Sequence, residues 1–151
     1  MKQIRIWVLV ADSARARAVR WMGIEAPLEQ VEGLELGFEH QHVRDMLADR
    51  AGRVHESQGA ARHGVQPHTD PVRNAEHRFA EKVAAAMQER LAKGELDKLI
   101  LVAGPTMLGD LRKAMSPQLA AAIKGELAKD LTHLPNAELK RHLQDAGLVP
   151  A

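Results

Sequence analysis

The alternation of apolar and polar positions predicts three strands in the first 40 residues. Residues 4–11 are mostly apolar and β-branched, so both faces of this segment are expected to be buried, as in a central strand. Residues 15–21 alternate with a period of two, which predicts a second strand that pairs with the first through the turn at Asp12-Ser13. A weaker third strand is predicted over residues 28–34, where glycines close it.

One long helix is predicted from the signals at its two ends. Asp70 is a typical N-cap residue, and Pro71 suits the first helical position because its missing N–H is not needed there. Apolar residues then recur every three or four positions and form one stripe. The helix is expected to end at Lys93, with Gly94 as the residue that follows it.

Beyond this helix, strand and helix signals alternate. The apolar run at residues 99–103 predicts a buried strand, and helices are predicted over residues 107–115 and 117–123. Residues 124–131 fit either the end of that helix or an edge strand, and we prefer the strand. A final helix is predicted from Pro135 to Gly147.

These elements predict a single α/β domain over residues 1–151, with a mixed sheet flanked by helices. Between residues 36 and 69 no period is sustained. Residues 57–69 are expected to form a long mobile loop. Loops of that length are uncommon in compact domains and are often functional.

Composition excludes several classes of site. The chain has no cysteine, so a disulfide scaffold, a thiolate zinc site, an iron–sulfur cluster and a cysteine nucleophile are all excluded. Aromatic residues make up 3% of the chain, which argues against a surface that stacks bases or sugars. The net charge of +1 does not by itself indicate a nucleic-acid binder.

No segment has the length or hydropathy of a membrane span. A membrane helix needs about 18 or more consecutive apolar residues, and no run in this chain approaches that length. The apolar stretch at residues 6–11 is also short for an export signal. We therefore expect a cytoplasmic protein without membrane insertion.

The motifs that would carry chemistry are incomplete. The segment from Gly104 to Gly109 lies between a strand and a helix, as a phosphate-binding loop does, but Asp110 and Leu111 stand where such a loop needs Lys and Ser or Thr. The histidines show no metal-ligand spacing, even at His40-Gln41-His42, and no serine lies in a Gly-x-Ser-x-Gly motif. We expect no catalytic residue, no metal and no cofactor, and the interpretation leans away from an enzyme.

Five patches taken together resemble a known family. They are Trp7–Arg17, Gly52-Arg53 with residues 57–62, Phe79–Val83, Leu99–Arg112 and Lys129–Thr132. In this order and at these spacings they resemble the bacterial host attachment protein family, small proteins required for attachment to host cells. The resemblance spans essentially the whole chain.

That family is similar to the middle domain of archaeal and eukaryotic class I peptide-chain release factors, which implies an α/β fold with a five-stranded mixed sheet. The release-factor domain carries a Gly-Gly-Gln tip on a long loop that reaches the peptidyl-transferase centre. The comparable loop here contains Gln58, Gly59 and His63 but no Gly-Gly-Gln, so peptidyl-tRNA hydrolysis is not carried over. The similarity instead indicates candidates for phosphate contacts at Arg15, Arg17, Arg53 and Arg62.

Two functions follow from this resemblance. The first is a ribosome- or RNA-associated accessory factor that binds through arginines and whose binding weakens with salt. The alternative is a protein-interaction factor that affects host-cell attachment and has no nucleic-acid role. A homodimer is compatible with a short α/β domain that has an edge strand.

Overall fold

The computed structural model describes residues 3–37 and 70–151. The loop predicted over residues 57–69 lies outside the described residues, as do the candidates Arg53, Gln58, Gly59, Arg62 and His63. The described elements, in chain order, are β1 (Ile6–Ala11), β2 (Arg15–Arg20), β3 (Glu29–Gly37), α1 (Pro71–Ala92), β4 (Lys98–Ala103), α2 (Pro105–Ala114), α3 (Pro117–Ala121), β5 (Ile123–Leu127) and α4 (Asn136–Asp145).

The five strands form one mixed sheet in the order β3-β2-β1-β4-β5. β1 pairs antiparallel with β2 and parallel with β4, and β4 pairs parallel with β5. Because neighbouring parallel strands need a crossover, α2 and α3 connect β4 to β5. The central position predicted for the first strand is confirmed, as is the five-stranded mixed sheet implied by the resemblance.

The continuous apolar character of β1 and β4 reflects burial on both faces of the sheet. On one face, alternate residues pack against α1, α2 and α3, in a cluster that includes Trp7, Leu9, Leu101, Phe79, Leu111 and Leu119. On the other face, the remaining residues pack against α4 and the C-terminal segment, in a cluster that includes Val8, Val10, Ile100, Leu139, Leu143 and Val149. The sheet therefore lies between two helical layers.

The long helix α1 begins as its sequence predicts. The Asp70 carboxylate accepts the N–H groups of Val72 at 2.9 Å and Arg73 at 3.3 Å, which would otherwise lack partners in the first turn. At the other end, Gly94 takes a φ of 75°, a left-handed conformation that glycine adopts without strain.

A charge clamp joins α1 to α2. The guanidinium of Arg73 donates to both oxygens of Asp110, at 2.7 and 2.8 Å, and to Glu76 at 2.9 Å. The side chain of Asp110 is only 4% exposed, so its charge has to be compensated within the protein. Asp110, which in the sequence excludes a phosphate-binding loop, is thus the buried partner of Arg73.

Two cations fix α4 to the opposite face of the sheet. Arg17 of β2 donates to Asn136 Oδ1 at 2.6 Å and to the carbonyl oxygen of Leu134 at 2.8 Å. Lys140 donates to three carbonyl oxygens within residues 23–26, at 2.5–3.1 Å. β2 and the segment that follows it are thereby connected to α4 and to the residues that precede α4.

The edge strand β3 is longer and less regular than predicted. Its pairing with β2 shifts register opposite residues 17–19, and Gly33 inside the strand has a φ of 80°. Next to it, Arg90 of α1 donates to the carbonyl oxygen of Glu32 at 2.6 Å. The predicted end near residue 34 is wrong because Gly33 lies at an irregularity within the strand and does not close it.

The remaining differences from prediction are small. α2 begins at Pro105 and not at residue 107, since proline is accommodated at the first helical position. α3 ends at Ala121, and β5 confirms the strand interpretation for the first part of residues 124–131. Among the described residues, no helix has the length and apolar character needed to cross a membrane.

We expect Asp110→Asn to lower the free energy of unfolding by about 2 kcal/mol, because the buried two-point ion pair with Arg73 becomes a contact with a neutral amide. Glu76→Gln is the matched control, since it removes a carboxylate that pairs with the same guanidinium, and should cost no more than about 0.5 kcal/mol. Urea unfolding followed by circular dichroism measures both. Equal losses in the two variants would contradict the assignment of Asp110 as the clamp.

Candidate functional site

The carboxyl ends of the three parallel strands meet at one edge of the sheet. Three connections start there: the hairpin turn that begins at Asp12, the entry to α2 at Gly104, and the segment of residues 128–134 that follows β5. In open α/β sheets this edge is where ligands bind, because the connections diverge and leave a crevice. We call it the carboxyl edge.

Asp12 organises the hairpin turn at this edge. Its Oδ1 accepts the N–H groups of Ala14 and Arg15, each at 2.8 Å. Burial alone would raise the pKa of Asp12. The hydrogen bonds from Ala14, Arg15 and the Thr132 hydroxyl together outweigh that effect, so the pKa lies below its ordinary value. Asp12 is therefore held ionised as part of the turn.

Thr132 joins the turn to the segment after β5. Its hydroxyl lies 2.7 Å from Asp130 Oδ1 and 3.1 Å from Asp12 Oδ2. Its backbone N–H also donates to Asp130, at 3.2 Å. A single hydroxyl therefore links two carboxylates from residues 118 positions apart in the chain.

The donor set Asp12, Asp130 and His133 resembles a cation site in outline. One ligand atom from each lies within 4.8 Å of the others. However, the Arg15 guanidinium already lies 2.7 Å from His133 Nδ1 and 3.4 Å from Asp12 Oδ2. Arg15 therefore already provides, next to Asp12 and His133, the positive charge that a bound cation would bring.

Two arginines face a pocket next to this cluster. Arg15 and Arg17 are two positions apart in β2, so their side chains lie on the same face of the sheet. The pocket has a volume of about 240 Å³ and is lined by Val10, Arg15, Ala16, Arg17, Glu35, Leu36 and Thr132. We call it the arginine pocket.

The charge of Arg17 is only partly compensated. Its side chain is half-buried, and within residues 3–37 and 70–151 no carboxylate oxygen lies within 4 Å of its guanidinium. Burial lowers the pKa of Arg17, an effect that the more distant charge of Glu35 opposes. Its hydrogen-bond partners, Asn136 and Leu134, are neutral.

A second pocket at the carboxyl edge has the opposite character. It lies beside the start of α2, has a volume of about 350 Å³, and is lined by one guanidinium, that of Arg73, and four carboxylates, those of Asp12, Glu76, Asp110 and Asp130. These carboxylates repel a phosphate group. The helix N-terminus at Gly104 is consequently a poorer place for an anion than the arginine pocket.

Of the phosphate-contact candidates, Arg15 and Arg17 lie among the described residues, and the structure brings them together. The structure adds Thr132, His133 and Glu35, which the search for motifs did not single out as site residues. Thr132 and His133 could have been found from their position in the chain. Both follow a predicted strand, at the edge of the sheet where parallel strands end.

These features define an open α/β domain with pockets at the carboxyl ends of its parallel strands. Residues 7–143 match the family described as "Protein required for attachment to host cells", and the chain belongs to this family. The expected resemblance to host attachment proteins is thereby confirmed, while the similarity to release factors stays a prediction. A comparison with the curated proteins finds no match.

Asp12→Asn tests the electrostatics of the turn. Asparagine keeps an Oδ1 that accepts the two N–H groups but loses the charge, so we expect a loss of roughly 1 kcal/mol at pH 7. Because the folded-state pKa of Asp12 is lowered, its contribution is present above about pH 4 and is lost as the pH falls below that value. The stability difference between wild type and variant should therefore shrink between pH 4 and pH 2.5 in urea unfolding. Parallel curves over that range would contradict the assignment.

Proposed function

We propose that this host-attachment-family protein acts inside the cell as a non-catalytic accessory factor that associates with RNA or the ribosome. The observation that carries the proposal is the pair of guanidiniums, Arg15 and Arg17, on one face of β2 at the arginine pocket. Arginine suits phosphate because its planar group donates several N–H bonds in a fixed geometry. The predicted similarity to a release-factor middle domain favours the same class of partner.

The local charge supports the proposal where the total charge does not. The net charge of the chain is only +1, so a phosphate-bearing partner has to be attracted by a local feature. Arg15, Arg17 and Glu35 line the arginine pocket, and Asp12 beside it pairs with Arg15, so the positive charge without an ion-pair partner among the described residues is that of Arg17. The neighbouring acidic pocket would restrict contact to this part of the edge.

A specific observation also favours the alternative, a protein-interaction factor. At the opposite end of the sheet, Ile4, Met22 and Ile24 are 61%, 49% and 49% exposed. A pocket of about 260 Å³ beside them is lined in part by Trp7 and Trp21. Exposed apolar groups of this kind are typical of surfaces that contact another protein.

Co-sedimentation with ribosomes from a cell lysate tests the proposal. At low salt we expect the wild-type chain to pellet with ribosomes, and we expect most of this binding to be lost at physiological salt or above, because displaced counterions drive the association. Arg15→Gln should reduce the bound fraction about threefold or more. Arg53→Ala/Arg62→Ala tests the two candidates that lie outside the described residues.

The matched control is Arg112→Gln, which removes the same charge at a site remote from the pocket, where Arg112 pairs with Glu126. This variant should bind as wild type does. If no association occurs at either salt concentration, the RNA or ribosome proposal is wrong. Loss of a lysate protein partner on Ile4→Ser/Met22→Ser, without any change in RNA binding, would favour the alternative.

A further inference from the structure

We infer that the arginine pocket receives a terminal phosphate group, a phosphomonoester, and not the continuous phosphodiester backbone of a nucleic acid. This inference deepens the proposed function, because it names the chemical group recognised at the same two arginines. It rests on the unused donors of these arginines, the size of the pocket and the placement of its charges.

The first step is the number of free donors. A guanidinium has five N–H groups, and Arg17 uses its two terminal nitrogens for Asn136 and Leu134, one acceptor each. Arg15 makes its contacts through Nε and Nη2, to Asp12 and His133, and its Nη1 has no contact among the described residues. Several N–H donors therefore remain for a ligand with multiple acceptor oxygens.

The second step is the charge that these donors carry. Arg17 is half-buried without a carboxylate partner in the described part of the chain, so its charge is incompletely compensated in the unliganded protein. A phosphomonoester carries between one and two negative charges near pH 7 and presents three acceptor oxygens. It supplies both the counter-charge and the acceptors that two adjacent guanidiniums can use.

The third step is the size and lining of the pocket. It is lined by Val10, which is fully buried, and by Leu36, with Glu35 and Thr132 beside the arginines. Its volume of about 240 Å³ is enough for one phosphate group. A terminal phosphate brings up to two charges and three free oxygens to that one point, whereas each phosphodiester brings one charge and two free oxygens.

Glu35 provides the sharpest test, because its carboxylate opposes an anion in this pocket. The other charged or titratable groups near the arginines are Asp12 and His133, which contact Arg15, and Asp130, which lies within 4.8 Å of both. Glu35 is exposed and has no ion pair among the described residues, so Glu35→Gln should leave folding intact. We expect this variant to bind inorganic phosphate roughly three- to tenfold more tightly than wild type.

Glu29→Gln is the matched control. Glu29 is exposed, lies on the same strand, and pairs with Arg20 at the far end of β2, so its substitution changes the net charge by the same amount. Its affinity for phosphate should stay within about twofold of wild type if the effect of Glu35 is local. Arg15→Gln should weaken binding about tenfold.

The measurement is titration of the full chain with inorganic phosphate, followed by amide shifts in NMR spectra. Shifts are expected at Ala16, Leu36 and Thr132 and not near Ile4. Equal affinities of Glu35→Gln and Glu29→Gln, or the absence of shifts at the pocket, would overturn the inference.

Two further ligands separate the sources of the phosphate group. A nucleoside monophosphate reports a free small molecule, and an RNA oligonucleotide with and without a 5′-phosphate reports an RNA end. Tighter binding of the 5′-phosphorylated oligonucleotide supports recognition of an RNA end, and equal binding of the two oligonucleotides counts against it. Phosphate binding without any ribosome association would overturn the proposed function and leave this inference standing. Ribosome association without phosphate binding would overturn this inference and leave the proposed function standing.

Discussion

The parallel pairing of β1 with β4 is the constraint on which the rest of the structure depends. It joins residues 6–11 to residues 98–103, so after β2 and β3 have been added to the sheet the chain has to cross one face and enter β4 in the same direction as β1, and α1 is the described part of that crossover. Because both strands are apolar on both faces, helices have to cover the sheet on two sides. α1, α2 and α3 supply one layer, and α4 supplies the other. The pairing also aligns the ends of the two strands, which places Asp12 beside Gly104 and creates the carboxyl edge.

At that edge the same side chains stabilise the fold and line the pocket. Arg17 connects β2 to the segment that enters α4, and it also lines the arginine pocket. Arg15 similarly contacts Asp12 and His133 while lining the pocket. The two arginines are thus held by contacts within the protein, which would reduce the ordering cost of binding a ligand in the pocket.

Local signals in the sequence predicted most elements, and long-range pairing limited what could be said of the site. The turn at Asp12 and the start of α1 at Asp70 depend on nearby residues, and both were found. The contact between Thr132 and Asp12 joins positions 120 residues apart and follows from the neighbouring ends of parallel strands, which periodicity does not reveal. The period of two placed Arg15 and Arg17 on one face, but Asn136 as a partner of Arg17 is a property of the folded chain alone.

The outer strand β3 has a consequence for how the protein behaves at high concentration. An exposed, regular edge strand is a template on which other chains can add, and unprotected edges lead to aggregation. In β3 the exposed glutamates at 32 and 35 repel a second copy of the same strand. The irregularity at Gly33 interrupts its hydrogen-bonding row, and Arg90 already donates to the carbonyl oxygen of Glu32. Within the described part of the chain we therefore expect β3 to resist the addition of a strand from another copy of the protein.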